Sequence, residues 1–265
     1  MFDRFNRPIN YLRISVTDRC NLRCTYCMPE EGIQNLDHSE ILSFEEITEF
    51  TRLAVANGIT KLRLTGGEPL VRKGIVDLVA RLAAIEGLED LSMTTNGTLL
   101  SKFAVELKKA GLKRVNISLD SVNSESYCQI TRNGNLADVF EGIDAARNAG
   151  FHPIKINCVL LGQPTNETQQ LKAFCEERNL KLRFIHQMNL KTGEFSTVEG
   201  GEGGNCIKCN RVRLLANGDI KPCLFSDFAY NIRKLGSLEA LNLALGNKPK
   251  AGTYNKSGEF YNIGG

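Results

Sequence analysis

Short apolar runs alternate with helical patterns at regular spacing over most of the chain, and this alternation is what most narrows the folds open to it. Strand-like runs fall at about 11–16, 60–65, 90–95, 113–119, 153–161 and 181–186. The helices between them have recognisable ends. Ser43 and Glu46 make the pattern of a capping box, after which Phe44, Ile47, Phe50 and Ala54 recur at helical spacing until Asn57-Gly58. Ile75, Leu78, Val79 and Leu82 mark one face of a helix over 74–85, later helices stop at Gly111 and Gly150, and another spans 168–178. Six such units with short connections predict parallel strands joined by right-handed crossovers. Periodicity does not say whether helices cover one face of the sheet or two, so an open doubly wound sheet and a partial or full barrel both satisfy it. In either, reactive groups sit at the carboxyl ends of the strands. After residue 187 the texture changes: Gly193, Gly200, Gly201, Gly203 and Gly204 crowd a polar stretch. The expected organisation is an α/β body over 1–187, a smaller region over 188–247, and an extended tail over 248–265 ending in Gly264-Gly265.

Composition removes several function classes. With 33 basic and 30 acidic side chains the net charge is +3, no support for a protein built to coat nucleic acid, although a local cationic pocket is compatible with it. Charges interrupt every apolar stretch well before the roughly 20 residues that a membrane helix needs. Met1 to Asn10 carries Asp3, Arg4 and Arg7 and no apolar core, so no secretory signal is expected and the cytoplasm is the expected compartment. Nine cysteines, an odd number in a reducing compartment, argue against a disulfide framework and towards thiolate ligands.

Cys20, Cys24 and Cys27 form C-x3-C-x2-C directly after the first strand. Three thiolates can hold three corners of a cubane iron-sulfur cluster and leave the fourth iron without a protein ligand. A closed zinc site would normally want a fourth ligand, and the nearest histidine, His38, lacks zinc-ribbon spacing. Thr65-Gly66-Gly67-Glu68-Pro69 ends the second strand, where two glycines permit close backbone approach and Glu68 either accepts from an ammonium or holds the loop. A second set, Cys206, Cys209 and Cys223, has C-x2-C-x13-C spacing, which fits a zinc knuckle with a fourth ligand elsewhere or a second cluster with an open iron. Arg211 and Arg213 follow its C-x2-C pair and point to one side if their segment is extended, which suits an anion such as a phosphate.

These residues resemble a family. The Cys20–Cys27 loop and the Gly-Gly-Glu-Pro turn look like those of the radical S-adenosylmethionine (SAM) enzymes. The resemblance implies a partial (βα)6 barrel and a 4Fe-4S cluster that binds SAM and cleaves it to a 5′-deoxyadenosyl radical. Leu12 to Cys20, Cys209 to Arg213, Pro222-Cys223-Leu224-Phe225 and the terminal Gly264-Gly265 resemble the GTP 3′,8-cyclases of molybdenum-cofactor biosynthesis. That resemblance implies a lyase converting GTP to 3′,8-cyclo-7,8-dihydro-GTP, with two 4Fe-4S clusters, the second in an auxiliary region at 188–247. It places Tyr26, Gly66, Gly67, Glu68, Ser118 and Met188 near SAM, and Arg13, Arg63, Thr94, Lys155, Arg211 and Arg213 at GTP. It also implies an electron donor such as a flavodoxin or ferredoxin, allows a homodimer, and brings the double-glycine tail towards the active site. Two features depart from the pattern. Only 17 residues separate Met188 from Cys206, where the family has a longer covering segment, and His186-Gln187-Met188-Asn189 replaces its usual acidic residue and proline. A related enzyme acting on a peptide or another nucleotide, and a non-catalytic iron-sulfur or zinc protein, are the alternatives. Cys128, Cys158 and Cys175 are expected to pack as small apolar residues, and His186 at the rim of the sheet.

Overall fold

A computed structural model of the chain describes residues 1–162 and 165–256. Six strands are parallel and lie in sequence order: β1 Tyr11–Ser15, β2 Lys61–Thr65, β3 Asp90–Thr95, β4 Arg114–Ser118, β5 Lys155–Leu160 and β6 Lys181–His186. They match the six apolar runs to within two residues at each end. Helices α1 Phe44–Ala56, α2 Ile75–Ala83, α3 Leu100–Lys109, α5 Leu136–Asn148 and α6 Asn166–Glu177 lie between them as expected. The capping box at α1 is formed, with Ser43 Oγ accepting from the Glu46 amide and Glu46 Oε2 accepting from the Ser43 amide. A further helix, α4 Ser124–Thr131, precedes α5. Its weak apolar pattern hid it, since only Tyr127 and Thr131 are buried.

The choice between open sheet and barrel follows from the two faces. Leu12, Ile14, Leu62, Leu64, Met93, Val115, Ile117 and Ile156 are buried in the core with the helices. The alternate positions, Arg13, Arg63, Thr94, Arg114, Lys155 and Arg183, line one cavity. Side chains from six consecutive strands can share a cavity only if the sheet curves around it, so the fold is a partial barrel with helices on its convex side.

Beyond residue 187 the chain does not leave the sheet. β7 Arg211–Leu214 pairs parallel with β1, and β8 Asp219–Lys221 and β9 Tyr230–Asn231 follow antiparallel, making nine strands in the order β6-β5-β4-β3-β2-β1-β7-β8-β9. Helices α7 Ile232–Leu235 and α8 Ser237–Gly246 return to the main core through Ile232, Ala240, Leu241, Ala244 and Leu245. Leu190, Leu215 and Phe225 form a small separate cluster under the polar segment. Among the described residues no helix is long and apolar enough to cross a membrane.

Gly142 of α5 marks the closest backbone approach on the convex side: a Cβ there would stand 2.3 Å from the Gly97 carbonyl oxygen, in the loop that follows β3. Gly142→Ala must therefore push α5 away from α3, and we expect a loss of about 1–3 kcal/mol in urea unfolding of the apo-protein; unchanged stability would show that this contact relaxes freely.

Candidate active site

The first cysteine triad sits in a loop held from several sides. Arg23 donates to the Cys20 and Leu22 carbonyls at 2.7 and 3.0 Å. Arg132, just beyond α4, donates to the Arg23 and Met28 carbonyls, and the Arg23 and Thr25 amides donate to Thr131 and Ile130. The helix missed in the sequence is thus the element that fixes the far side of this loop. Asn21 is held by Thr98 and Asn96. From within the loop, Tyr26 donates its hydroxyl to Asp120 Oδ2 at 2.7 Å, while Asp120 Oδ1 accepts from the Val159 amide. Burial raises Asp120 to about 6.

Gly66 and Gly67 pass against the backbone that leads into this loop. The Gly67 amide donates to the Thr17 carbonyl and the Glu68 amide to that of Arg19. A Cβ on Gly67 would lie 2.3 Å from the Arg19 oxygen. Of the two roles open to Glu68, the structure displays the loop-holding one: its carboxylate accepts from the Leu70 amide, the Thr95 hydroxyl and the Asn96 amide at 3.0, 2.7 and 2.6 Å. Burial nevertheless raises it to about 7 against those donors.

The three thiols suit a cluster. Burial, then the neighbouring thiols and Asp120, pushes Cys24 and Cys27 up, Cys27 to about 12. Arg23 offsets part of this at Cys20 only, so the negative ends of Cys24 and Cys27 converge beside Asp120, an environment that suits a donor set completed by iron. Among the described residues no three His, Cys, Asp or Glu side chains are grouped to hold a single metal ion. A four-iron cubane spreads its thiolates more widely.

A cavity of about 580 Å³, within the range of small-ligand sites, opens on the concave side. All six residues expected at the substrate line it: Arg13, Arg63, Thr94, Lys155, Arg211 and Arg213. So do Cys206, Cys209 and Cys223. Of the residues expected near SAM only Met188 lines it; Tyr26, Gly66, Gly67, Glu68 and Ser118 lie with the first triad or at the end of β4. Register explains the charge. Arg213, Arg13 and Arg63 are direct neighbours on β7, β1 and β2. Arg63 and Arg213 are lowered to about 9, first by burial and then by neighbouring charges in which cations predominate, and Lys155 is lowered to about 8. The Thr94 hydroxyl is buried without a hydrogen-bond partner.

The family model of the radical SAM superfamily matches residues 14–175. The GTP 3′,8-cyclase of Thermodesulfovibrio yellowstonii is 45% identical over 282 aligned residues, which take in 89% of this chain and 88% of the relative. The chain belongs to the radical SAM superfamily and, within it, to the GTP 3′,8-cyclase family. The GTP 3′,8-cyclase of Pelotomaculum thermopropionicum is 42% identical, covering 85% of this chain and 84% of its own length. The crystal structure of Streptococcus suis SuiB bound to S-adenosylmethionine matches 91% of this chain with a TM-score of 0.67 and 18% identity, a likeness of fold. The chain spans 64% of that structure's length. As a superfamily member the chain takes a 4Fe-4S cluster and SAM.

Several lining residues carried no strong signal in the sequence. Tyr11, two residues before Arg13 and so on its face of β1, has the guanidinium carbons of Arg13, Arg63 and Arg211 at 5.7, 5.6 and 5.8 Å from its ring centroid. Burial alone would raise this phenol, yet the three cations leave it lowered. Lys61, Arg114, Arg183 and Lys248 complete the cationic lining. The short segment after Met188 still makes a wall: Glu199 bridges to Phe184 of β6, His186 meets Glu199 at 2.8 Å, and Val198 and the stretch from Gly200 to Asn205 line the cavity. Cys158 and Cys175 are buried as expected, but Cys128 is exposed, because α4 turns its neighbour Tyr127 inward and Cys128 away. The double glycine at 264–265 lies outside the described residues.

Glu68→Gln keeps the shape of the turn but sets an amide NH2 against three donors. We expect a loss of about 1–3 kcal/mol in thermal unfolding of the apo-protein at pH 8, growing below pH 7, because the native carboxylate there takes up a proton that the unfolded chain does not bind and the Gln variant lacks this gain. A variant as stable as the native chain at pH 8 would remove Glu68 from the role of loop holder.

Proposed function

We propose that this chain is a radical SAM lyase converting GTP to 3′,8-cyclo-7,8-dihydro-GTP in molybdenum-cofactor biosynthesis, with a second 4Fe-4S cluster on Cys206, Cys209 and Cys223. One observation carries the reading: the row of Arg213, Arg13 and Arg63 opens into the same cavity as the second cysteine triad. A row of guanidiniums, Arg63 and Arg213 buried and Arg13 half-buried, suits a polyanion, and a triphosphate supplies one beside a donor set that suits an open-iron cluster. The identity to GTP 3′,8-cyclases supports the same substrate.

In this reading Cys20, Cys24 and Cys27 hold the first cluster, with Tyr26, Gly66, Gly67, Glu68, Ser118 and Met188 forming the SAM side. When bound, that cluster and SAM supply a 5′-deoxyadenosyl radical, and the reaction removes the ribose C3′ hydrogen of GTP and joins C3′ to C8 of guanine. Arg13, Arg63, Arg211, Arg213 and Lys155 bind and orient the triphosphate, the orphan Thr94 hydroxyl gives the nucleotide a hydrogen-bond partner, and the glycine-rich wall limits entry of water. Glu68 acts by shaping the turn. A flavodoxin or ferredoxin donates the electron, the cytoplasm is the compartment, and a homodimer is read out by light scattering.

The deciding experiment is anaerobic reconstitution followed by incubation with SAM, a reductant and GTP. We expect 5′-deoxyadenosine and cyclised nucleotide in step. Deoxyadenosine without consumption of GTP would overturn the substrate and favour a peptide or another nucleotide. The pH dependence gives a second check. In the free protein Lys155 loses its proton near pH 8, and a bound phosphate raises it again, so GTP binding takes up a proton above that pH and weakens as pH rises, by up to about tenfold per unit. Calorimetry in buffers of different ionisation heat should find this uptake, and Lys155→Met should abolish it; equal proton uptake in the variant would exclude Lys155.

A further inference from the structure

The second cysteine triad is framed by two buried cations that no sequence motif singled out. Lys248 follows α8, is 2% exposed, and has no carboxylate partner among the described residues. Its ammonium donates to the Arg211 carbonyl at 2.7 Å and the Pro222 carbonyl at 2.6 Å. Arg211 lies two residues after Cys209, and Pro222 immediately precedes Cys223, so one side chain ties together the two strands of chain that carry these thiols. Arg7 does the corresponding work on the other flank, donating to the carbonyls of Cys206, Pro249 and Lys250 at 2.7, 2.6 and 2.9 Å. Arg7 is neutralised by Asp3 at 2.6 Å. Lys248 is not.

A buried ammonium with two carbonyl acceptors and no counter-ion is costly unless an anion stands close. The groups near enough to feel its charge are Cys209 and Cys223. We propose that Lys248 is the positioning residue of the second cluster: it sets the separation of Cys209 and Cys223 through two carbonyls and supplies the fixed positive charge that their thiolates balance. This rests on the reading that a second cluster is present. The two sites differ in charge: at the first triad Arg23 acts on Cys20 while Asp120 faces Cys24 and Cys27, whereas Lys248 acts on both Cys209 and Cys223. A positive charge beside an iron-sulfur cluster favours its reduced, more negative state, so Lys248 raises the second cluster's midpoint above the value it would have without that charge.

The test uses the full chain, reconstituted anaerobically, with iron and sulfide counted and each cluster followed by electron paramagnetic resonance during a redox titration. Wild type should bind about eight irons, two cubanes; about four would overturn the two-cluster reading itself, independently of Lys248. Lys248→Met keeps the length and packing of the side chain without its charge. We expect it to lose the second cluster's signal, or to keep it with a midpoint shifted to more negative potential, while the first cluster's signal and the apo-protein's melting temperature stay as in wild type. Lys248→Arg should restore the wild-type direction of the midpoint relative to Lys248→Met. Two clusters with unchanged midpoints in Lys248→Met would overturn the proposal. Loss of both clusters with a lower melting temperature would also overturn it, by showing that Lys248 supports the fold rather than this site.

Discussion

Guanidiniums on adjacent parallel strands repel one another, and the concave side of this molecule is arranged around that repulsion. Arg213, Arg13 and Arg63 are register neighbours, and strands lie about 4.8 Å apart. At that spacing two unit charges in an effective dielectric of about 20 repel by on the order of 3 kcal/mol. Burial adds to the cost, as the lowering of Arg63 and Arg213 shows. The strain is contained by the Tyr11 ring, which takes three guanidiniums on its electron-rich face, and by carbonyls such as those of Gly200 and Glu202, which accept from Arg183 and Arg211. The remaining demand is for an anion, and the partial barrel supplies the room for one.

That arrangement separates two chemistries along the strands. The first triad lies past the carboxyl end of β1, in a loop pinned by Arg23, Arg132 and the Tyr26–Asp120 pair. The second lies beside β7, in a cationic setting framed by Arg7 and Lys248. Met188, after β6, lines the cavity. The short segment that follows it closes the side by pairing with β6.

Much of this was legible along the chain because local rules act locally. The six strands, the capping box at Ser43 and the Gly66-Gly67 approach each depend on a few consecutive residues. Helix α4 was not legible, since two buried residues in eight give no helical stripe. Strand β7 was legible only in part: extended Arg-Val-Arg puts Arg211 and Arg213 on one side, but nothing along the chain gives its pairing with β1. Cys128 was misplaced for a related reason, because a cysteine on a short helix carries no mark of which way it points.

By itself the sequence determined the alternation that makes a parallel α/β sheet and the first thiol triad, since the spacing of Cys20, Cys24 and Cys27 alone brings three cysteines into one loop. The tertiary structure decided how those parts meet. It set Arg213, Arg13 and Arg63 in one row, placed Lys248 between the chain segments of Cys209 and Cys223, and turned Glu68 to its own loop. These partners come from strands and turns far apart in the chain, and their charges and hydrogen-bonding groups meet only when the curved sheet brings them within reach.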